Sequence, residues 1–191
     1  PICRVFHPAP LYLRINRIYR GTMRCGTSLL CVLAFALSAS IPSWAAVICG
    51  PLLRDGLEVV PSYRTGVTLD RMAAPAGSIH LEADVHAGAH EPHGFAQGAW
   101  IPYLSIAWSL TRDDNPTFKK SGILYPMVSK NGPHYGGAAQ LAGPGTYRLT
   151  YIISPPTSHG MLRHTEKAQA VPEWWKPITA SWTFTYPIEN Q

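Results

Sequence analysis

The 191-residue chain carries 16 Lys and Arg against 11 Asp and Glu, which gives a formal net charge of +5 and a pI near 9.2. Five arginines precede residue 25, and from residue 26 onward the basic and acidic residues number 11 each. Because the excess charge is confined to the N-terminal end, a nucleic-acid-binding surface is not expected. The length suits one domain with a hydrophobic core.

The N-terminal region predicts export. Residues 23–45 have the pattern of a secretory signal peptide, with a basic start at Arg24, the apolar run SLLCVLAFALSA, and small residues before a cleavage point after Ala45. The apolar run is shorter than the roughly 20 residues of a membrane span, so we expect no span in the mature chain, with a retained N-terminal anchor as the alternative. Residues 1–22 are interpreted as translation upstream of the true start, and residues 46–191 as a single domain.

The mature chain reads as an all-β protein. Period-two alternation of apolar and polar residues predicts strands in four stretches, which are HLEADVH from His80, PYLSIAWSLT from Pro102, GTYRLTYII from Gly145 and ITASWTFTY from Ile178. The turn-forming sequences RDDNP, KNGP and AGPGT separate such runs. This spacing favours an antiparallel β-sandwich. Residues 154–177 form one long connection, which we expect to be functional because Trp174 and Trp175 can tether it.

Four polar side chains share one face of the strand in HLEADVH. His80 and His86 are about 20 Å apart at 3.3 Å per residue, so they cannot bind the same ion. Residues two apart can, which leaves His80 with Glu82 or Asp84 with His86 as candidate pairs. The alternative is a solvated strand face without a metal.

A hairpin-like reversal in YPMVSKNGPHYGG predicts that Met127 and His134 approach each other. A thioether beside an imidazole suits a soft or borderline ion, copper above all. The alternative is a core methionine and a turn histidine. His164, together with His159 and Met161 in the long connection, could close over a site built on strands, or could be exposed to solvent.

The other two histidines of the mature chain, His90 and His93, lie in a loop that contains Gly and Pro. A loop does not fix their geometry as a helix would, so both are interpreted as ordinary surface residues. No Ser-His-Asp order, phosphate-binding loop or C-x-x-C motif stands out, and we expect no enzymatic turnover.

The blocks HLEADVHA, GAWIPYLSIAWSL, PMVSKNGPHYG, GMLRHT and WWKP together resemble the periplasmic high-affinity iron-transport protein family of bacteria, over about residues 56–186. The resemblance implies a copper-binding, immunoglobulin-like β-sandwich that acts in the periplasm. It also implies a homodimer, iron as cargo and an inner-membrane iron permease as partner. Carried over onto matching positions, the implied metal ligands are His80, Glu82, Met127, His134 and His164.

Asn131 departs from the family pattern, because some relatives carry an acidic residue at that place. Loss of this carboxylate would weaken a second, harder iron site without affecting the copper site. Two other functions stay open at this point. One is a periplasmic copper chaperone or buffer, and the other is a β-sandwich ligand module whose histidines are incidental.

Overall fold

The computed structural model describes residues 45–71 and 73–187. Within these ranges the chain forms nine β-strands and one short 3-10 helix, with no α-helix. The elements are β1 (Ala46–Val47), β2 (Leu52–Arg54), β3 (Leu57–Arg64), β4 (Ser78–Ala87), β5 (Ser105–Arg112), β6 (Lys119–Ser129), β7 (Gly132–Gln140), β8 (Gly145–Ser154), the 3-10 helix η1 (Pro156–His159) and β9 (Ile178–Tyr186).

All strand pairs are antiparallel, in the order β1-β3-β4-β7-β6-β5-β8-β9, with β2 also paired to β3. Strand β6 joins the two halves of this curled sheet, because residues 119–124 pair with β5 and residues 125–129 pair with β7. The halves face each other, so that the rings of Tyr63 on β3 and Phe184 on β9 lie 5.9 Å apart. The predicted all-β antiparallel class is confirmed.

The predicted alternation places the core correctly. Leu81, Ala83 and Val85 of β4 are fully buried, and the inward-facing residues of β5, β8 and β9 are buried with them. The core residues of these last three strands are Ile106, Trp108, Leu110, Tyr147, Leu149, Tyr151, Ile153, Ile178, Ala180, Trp182 and Phe184. Burying one apolar side chain of this size stabilises the fold by about 1.5–3 kcal/mol, so these strands hold the sheet halves together.

Two buried tyrosines tie separate parts of the chain to the core. The Tyr151 hydroxyl donates to the backbone carbonyl of Glu82 at 3.1 Å, which links β8 to β4. The Tyr135 hydroxyl donates to the carbonyl of Ile101 at 2.8 Å and accepts from the backbone N–H of Leu104 at 3.0 Å. Because both hydroxyls satisfy buried backbone groups, they fix β4 and the segment that leads into β5.

The connection from β8 to β9 contains η1 and otherwise no regular secondary structure. Trp175 near its end is buried against the core, and Trp174 packs beside it, as the sequence predicts. No helix in the described part of the chain is long and apolar enough to cross a membrane. The predicted upstream segment and signal peptide lie outside the described residues except for Ala45, so those interpretations stay predictions.

Candidate metal centre

Three of the predicted ligands come together. His80 and Glu82 on β4 and His134 on β7 each offer a ligand atom, and these atoms all lie within 4.8 Å of one another. His134 Nε2 is 3.8 Å from Glu82 Oε1, and the two imidazole rings are perpendicular, with centroids 6.3 Å apart. The exposed fractions of His80, Glu82 and His134 are 6%, 6% and 8%. The solvated strand face, which the sequence left open for His80 and Glu82, is therefore wrong.

Strand register assembles this cluster. Alternation on β4 turns Leu81 and Ala83 toward the core, so His80 and Glu82 occupy the opposite face of the sheet. In the ladder between β4 and β7, Glu82 lies opposite Gly136, which is two residues from His134 on the same face. Neighbouring side chains on one face of a sheet are close enough to touch, so the pairing of β4 with β7 brings the three groups together.

Met127 reaches the same place from β6. It lies directly opposite His134 in the β6–β7 hairpin, as the predicted reversal requires. A Cβ placed on Gly136 would lie 3.0 Å from Met127 Sδ and would clash with His80 Nε2. The thioether sulfur and the imidazole nitrogen therefore both lie over this glycine, which leaves room for them because it has no side chain.

The protonation chemistry of His80 suits a metal ligand. Its Nε2 is buried and has no hydrogen-bond partner within the described chain. Burial lowers the pKa of His80, and this desolvation outweighs the opposing attraction of Glu82. A buried nitrogen without a partner is costly in a folded protein, and a neutral imidazole is the form that binds a metal ion. The observation fits a bound ion that supplies the missing partner.

Neighbouring groups on β3 hold the Glu82 carboxylate in place. The Arg64 guanidinium nitrogen Nε lies 3.0 Å from Glu82 Oε1 and 3.2 Å from Oε2. The Ser62 hydroxyl donates to Oε2 at 3.2 Å. Hydrogen bonds of this kind orient a ligating carboxylate, and their loss weakens metal sites measurably. Neither residue could be identified from sequence as part of the site. Both lie in a strand-like stretch before residue 65, but no local pattern shows that this stretch pairs with β4.

A cavity of about 190 Å³ lies next to the cluster. Its lining includes Glu82 and His134 from the cluster, and also Asp84, His86 and Asn131. Burial raises the pKa of the Asp84 carboxyl. The alternative pair that the sequence suggested, Asp84 with His86, is therefore beside the main cluster, where it presents oxygen and nitrogen donors to the same space.

His164 does not join the cluster within one chain. Its side chain is 73% exposed, and its Nδ1 lies 2.7 Å from Glu166 Oε1 in the long connection. The ligand role of His164 stays a prediction. His93, interpreted from sequence as an ordinary surface residue, has a side chain that is only 4% exposed, so that interpretation is wrong for His93.

Comparison with known proteins shows the family to which the chain belongs. The model of the Fe2+ transport protein family matches residues 46–187. A UPF0423 protein of Brucella abortus is 37% identical over 166 residues, which cover 83% of this chain and 91% of that protein.

Two solved structures share the fold. FetP of uropathogenic Escherichia coli strain F11, recombinantly expressed in the periplasm, is 37% identical with a TM-score of 0.69; the match covers 75% of this chain and 95% of FetP. Copper-reconstituted P19 of Campylobacter jejuni is 35% identical with a TM-score of 0.72; the match covers 75% of this chain and 97% of P19. With the family model spanning nearly the whole described chain, the protein belongs to the Fe2+ transport protein family.

Proposed function

We propose that this protein is an exported copper- and iron-binding protein that supports high-affinity iron uptake, and that it binds and delivers metal without enzymatic turnover. The observation that carries the proposal is the buried His80 Nε2, which has no partner within the described chain and lies beside Met127, Glu82 and His134. A soft sulfur, two imidazoles and a carboxylate form a donor set that favours copper over magnesium or calcium.

Copper is the resident ion in this proposal. His80, His134 and Met127 would hold it, with Glu82 as an oxygen donor oriented by Arg64. Copper bound there would supply one-electron redox chemistry. The copper-bound state of P19 supports this choice of metal. If that copper is cupric, it would accept one electron from an added ferrous ion, which gives cuprous copper and ferric iron. A rate of ferrous oxidation that is unchanged by the copper-loaded protein would remove the redox role.

Iron is the cargo, and the cavity beside the cluster is where we expect it to be captured. Asp84, His86 and Glu82 present a carboxylate-rich donor set there, which suits a harder ion than copper. The family description, Fe2+ transport protein, supports iron as the transported metal. Asn131 lines the same cavity without adding a charge, so iron binding is expected to be weaker than in a relative with a carboxylate at this place.

A homodimer in the periplasm, working beside an inner-membrane iron permease, completes the proposal. His164 is exposed and away from the cluster, and the exposed apolar residues Ile123 and Tyr125 share one face of β6 with Met127. A second copy packed on this face would cover these residues and could bring its own His164 to the cluster. The periplasmic expression of FetP supports the predicted location.

Metal analysis and variants test the copper site. We expect the purified mature protein to bind about one copper per chain, and Met127→Ala and His134→Ala each to lower the affinity by about 100-fold or more with the fold retained. His90→Ala is the matched control, because His90 is an exposed histidine that lies outside the cluster. Wild-type affinity in both ligand variants would refute the ligand set.

The second candidate function, a periplasmic copper chaperone or buffer, is favoured by the copper-bound state of the relatives alone. A deletion strain separates the two. Poor growth under iron limitation, restored by the wild-type protein and not by Met127→Ala, supports iron uptake. Sensitivity to added copper with normal growth under iron limitation supports the buffer instead.

A further inference from the structure

His93 lies in the connection between β4 and β5 and is enclosed by its neighbours. Its side chain is 4% exposed, and that of its partner Glu91 is 1% exposed. His93 Nδ1 lies 2.6 Å from Glu91 Oε1, and His93 Nε2 lies 3.2 Å from the backbone carbonyl oxygen of Glu173. The histidine therefore bridges its own loop and the long connection between β8 and β9.

Both ring nitrogens of His93 face groups that can only accept hydrogen bonds. Which of the two receives the ring N–H of a neutral imidazole depends on the tautomer. The Glu91 carboxylate also accepts the backbone N–H groups of His93 and Phe95, at 2.9 Å and 3.1 Å, which fixes its position. Removing the His93 ring would leave a buried acceptor without this partner, which is costly in a folded protein.

Two tryptophans of the long connection complete the enclosure. The Trp174 ring stacks on the His93 ring with centroids 4.7 Å apart and planes 15° apart, and Trp175 meets the ring edge-on at 5.3 Å. These ring contacts bury aromatic surface between the loop and the connection. The other ionisable groups that line the two adjoining cavities are Asp55, His90 and Glu173 in one and Arg163 and His164 in the other.

The same segment contacts the backbone of His164. The backbone N–H of Val171 donates to the carbonyl of His164 at 3.2 Å, and Arg163 Nη1 donates to the carbonyl of Val171 at 3.2 Å. Val171 is two residues before Glu173, whose carbonyl faces His93 Nε2. Two hydrogen-bonded contacts, joined by the short backbone between Val171 and Glu173, therefore link His93 to the backbone of His164.

We propose that His93 is a positioning residue: clamped between Glu91 and Trp174, and hydrogen-bonded to the carbonyl of Glu173, it fixes the connection at residues 163–175 and thereby sets the placement of His164. The proposal rests on the metal-binding function proposed above, because the placement of His164 matters only if His164 binds the metal. His93 itself does not touch the metal in this proposal. Its effect on copper affinity is indirect, through the order of the connection that it holds.

Hydrogen exchange and copper affinity of His93→Phe test the proposal in the full mature protein. Phenylalanine keeps a flat ring against Trp174 but loses both hydrogen bonds. We expect the amide of Val171 to exchange at least about tenfold faster, with the β4 and β7 amides unchanged, and copper affinity to fall by about tenfold. His90→Phe is the matched control, because His90 is exposed in the same loop, and it should change neither quantity.

Nitrogen NMR of the wild-type protein at neutral pH gives a second test that needs no variant. A ring N–H of His93 that exchanges slowly with solvent is expected, because the side chain is 4% exposed and both ring nitrogens face acceptors, and a rapidly exchanging ring proton would overturn the clamp. Exchange at Val171 that is the same in His93→Phe and His90→Phe would also overturn it. His164→Ala tests whether His164 binds copper at all. Wild-type copper affinity in that variant would remove His164 from the ligand set and end the positioning role of His93. Hydrogen exchange at Val171 and the NMR measurement would then still test whether His93 holds the connection in place.

Discussion

Replacing Gly136 with alanine tests the geometry of the metal centre with one methyl group. The added Cβ would lie 3.0 Å from Met127 Sδ and would clash with His80 Nε2, whereas unstrained contacts between such atoms are about 3.5–4.0 Å. The His80 ring therefore has to move by roughly 1 Å. Metal–ligand distances tolerate about 0.2 Å, so His80 would be lost as a ligand.

We expect Gly136→Ala to lower copper affinity by about 100-fold or more. Overpacking costs about 1–3 kcal/mol of stability, and the smaller entropy of an unfolded chain with alanine offsets about 0.4–1 kcal/mol of this. The net loss in the free energy of unfolding then lies between about 0 and 2.6 kcal/mol. Competition with a copper chelator measures the affinity, and urea unfolding of the metal-free protein measures the stability.

Gly122→Ala is the matched control on the same sheet. A Cβ on Gly122 would lie 2.9 Å from three atoms of the Trp108 indole, which is on β5 and outside the cluster. This variant should lose stability through the same kind of overpacking and keep wild-type copper affinity. Wild-type copper affinity in Gly136→Ala, or an equal loss of copper affinity in both variants, would refute the proposed placement of His80 and Met127 over Gly136.

Two further predictions concern stability. Tyr135→Phe removes a hydroxyl that satisfies buried backbone groups of Ile101 and Leu104, so it should lower the free energy of unfolding by about 1–3 kcal/mol. The control Tyr103→Phe, at a residue 55% exposed, should change it by less than about 0.5 kcal/mol, and equal losses in the two variants would contradict this. The second prediction concerns pH. Burial lowers the pKa of His80 below 6.5, so near this pH the unfolded chain binds more protons than the folded protein does. The metal-free protein should therefore lose stability as the pH falls through about 6.5 toward the lowered pKa. His80→Gln should flatten this dependence between about pH 7.5 and pH 5 in urea titrations; an unchanged slope would show that His80 is not the titrating group.

The strands and their faces could be predicted from sequence because each depends on a local pattern. The alternation in GTYRLTYII, for example, places Tyr147, Leu149 and Tyr151 in the core, where all three are fully buried. The β6–β7 hairpin could also be predicted from a local signal, because a tight turn at Asn131 fixes which residues of the two strands lie opposite each other. Met127 and His134 are therefore neighbours for a reason that the sequence contains.

The pairing of β4 with β7 could not be predicted in this way, because these strands are separated by two others in sequence. This pairing is what turns a face with His80 and Glu82 into a buried cluster, and it also explains why the solvated-face alternative could not be rejected from sequence. The enclosure of His93 was missed for the same reason. Its partner Glu173 is 80 residues away, and no local pattern joins them.

The candidate metal centre shows how a sheet can assemble a polar cluster without disturbing its core. Alternation on β4 sends Leu81 inward and His80 outward, so the same strand contributes both to the core and to the proposed ligand set. A polar cluster on the outward face still requires space, and β7 provides it by placing Gly136 opposite Glu82. Any side chain at this glycine would fill the space that the ligand atoms use. The position that most constrains the site is therefore a residue that cannot bind the metal.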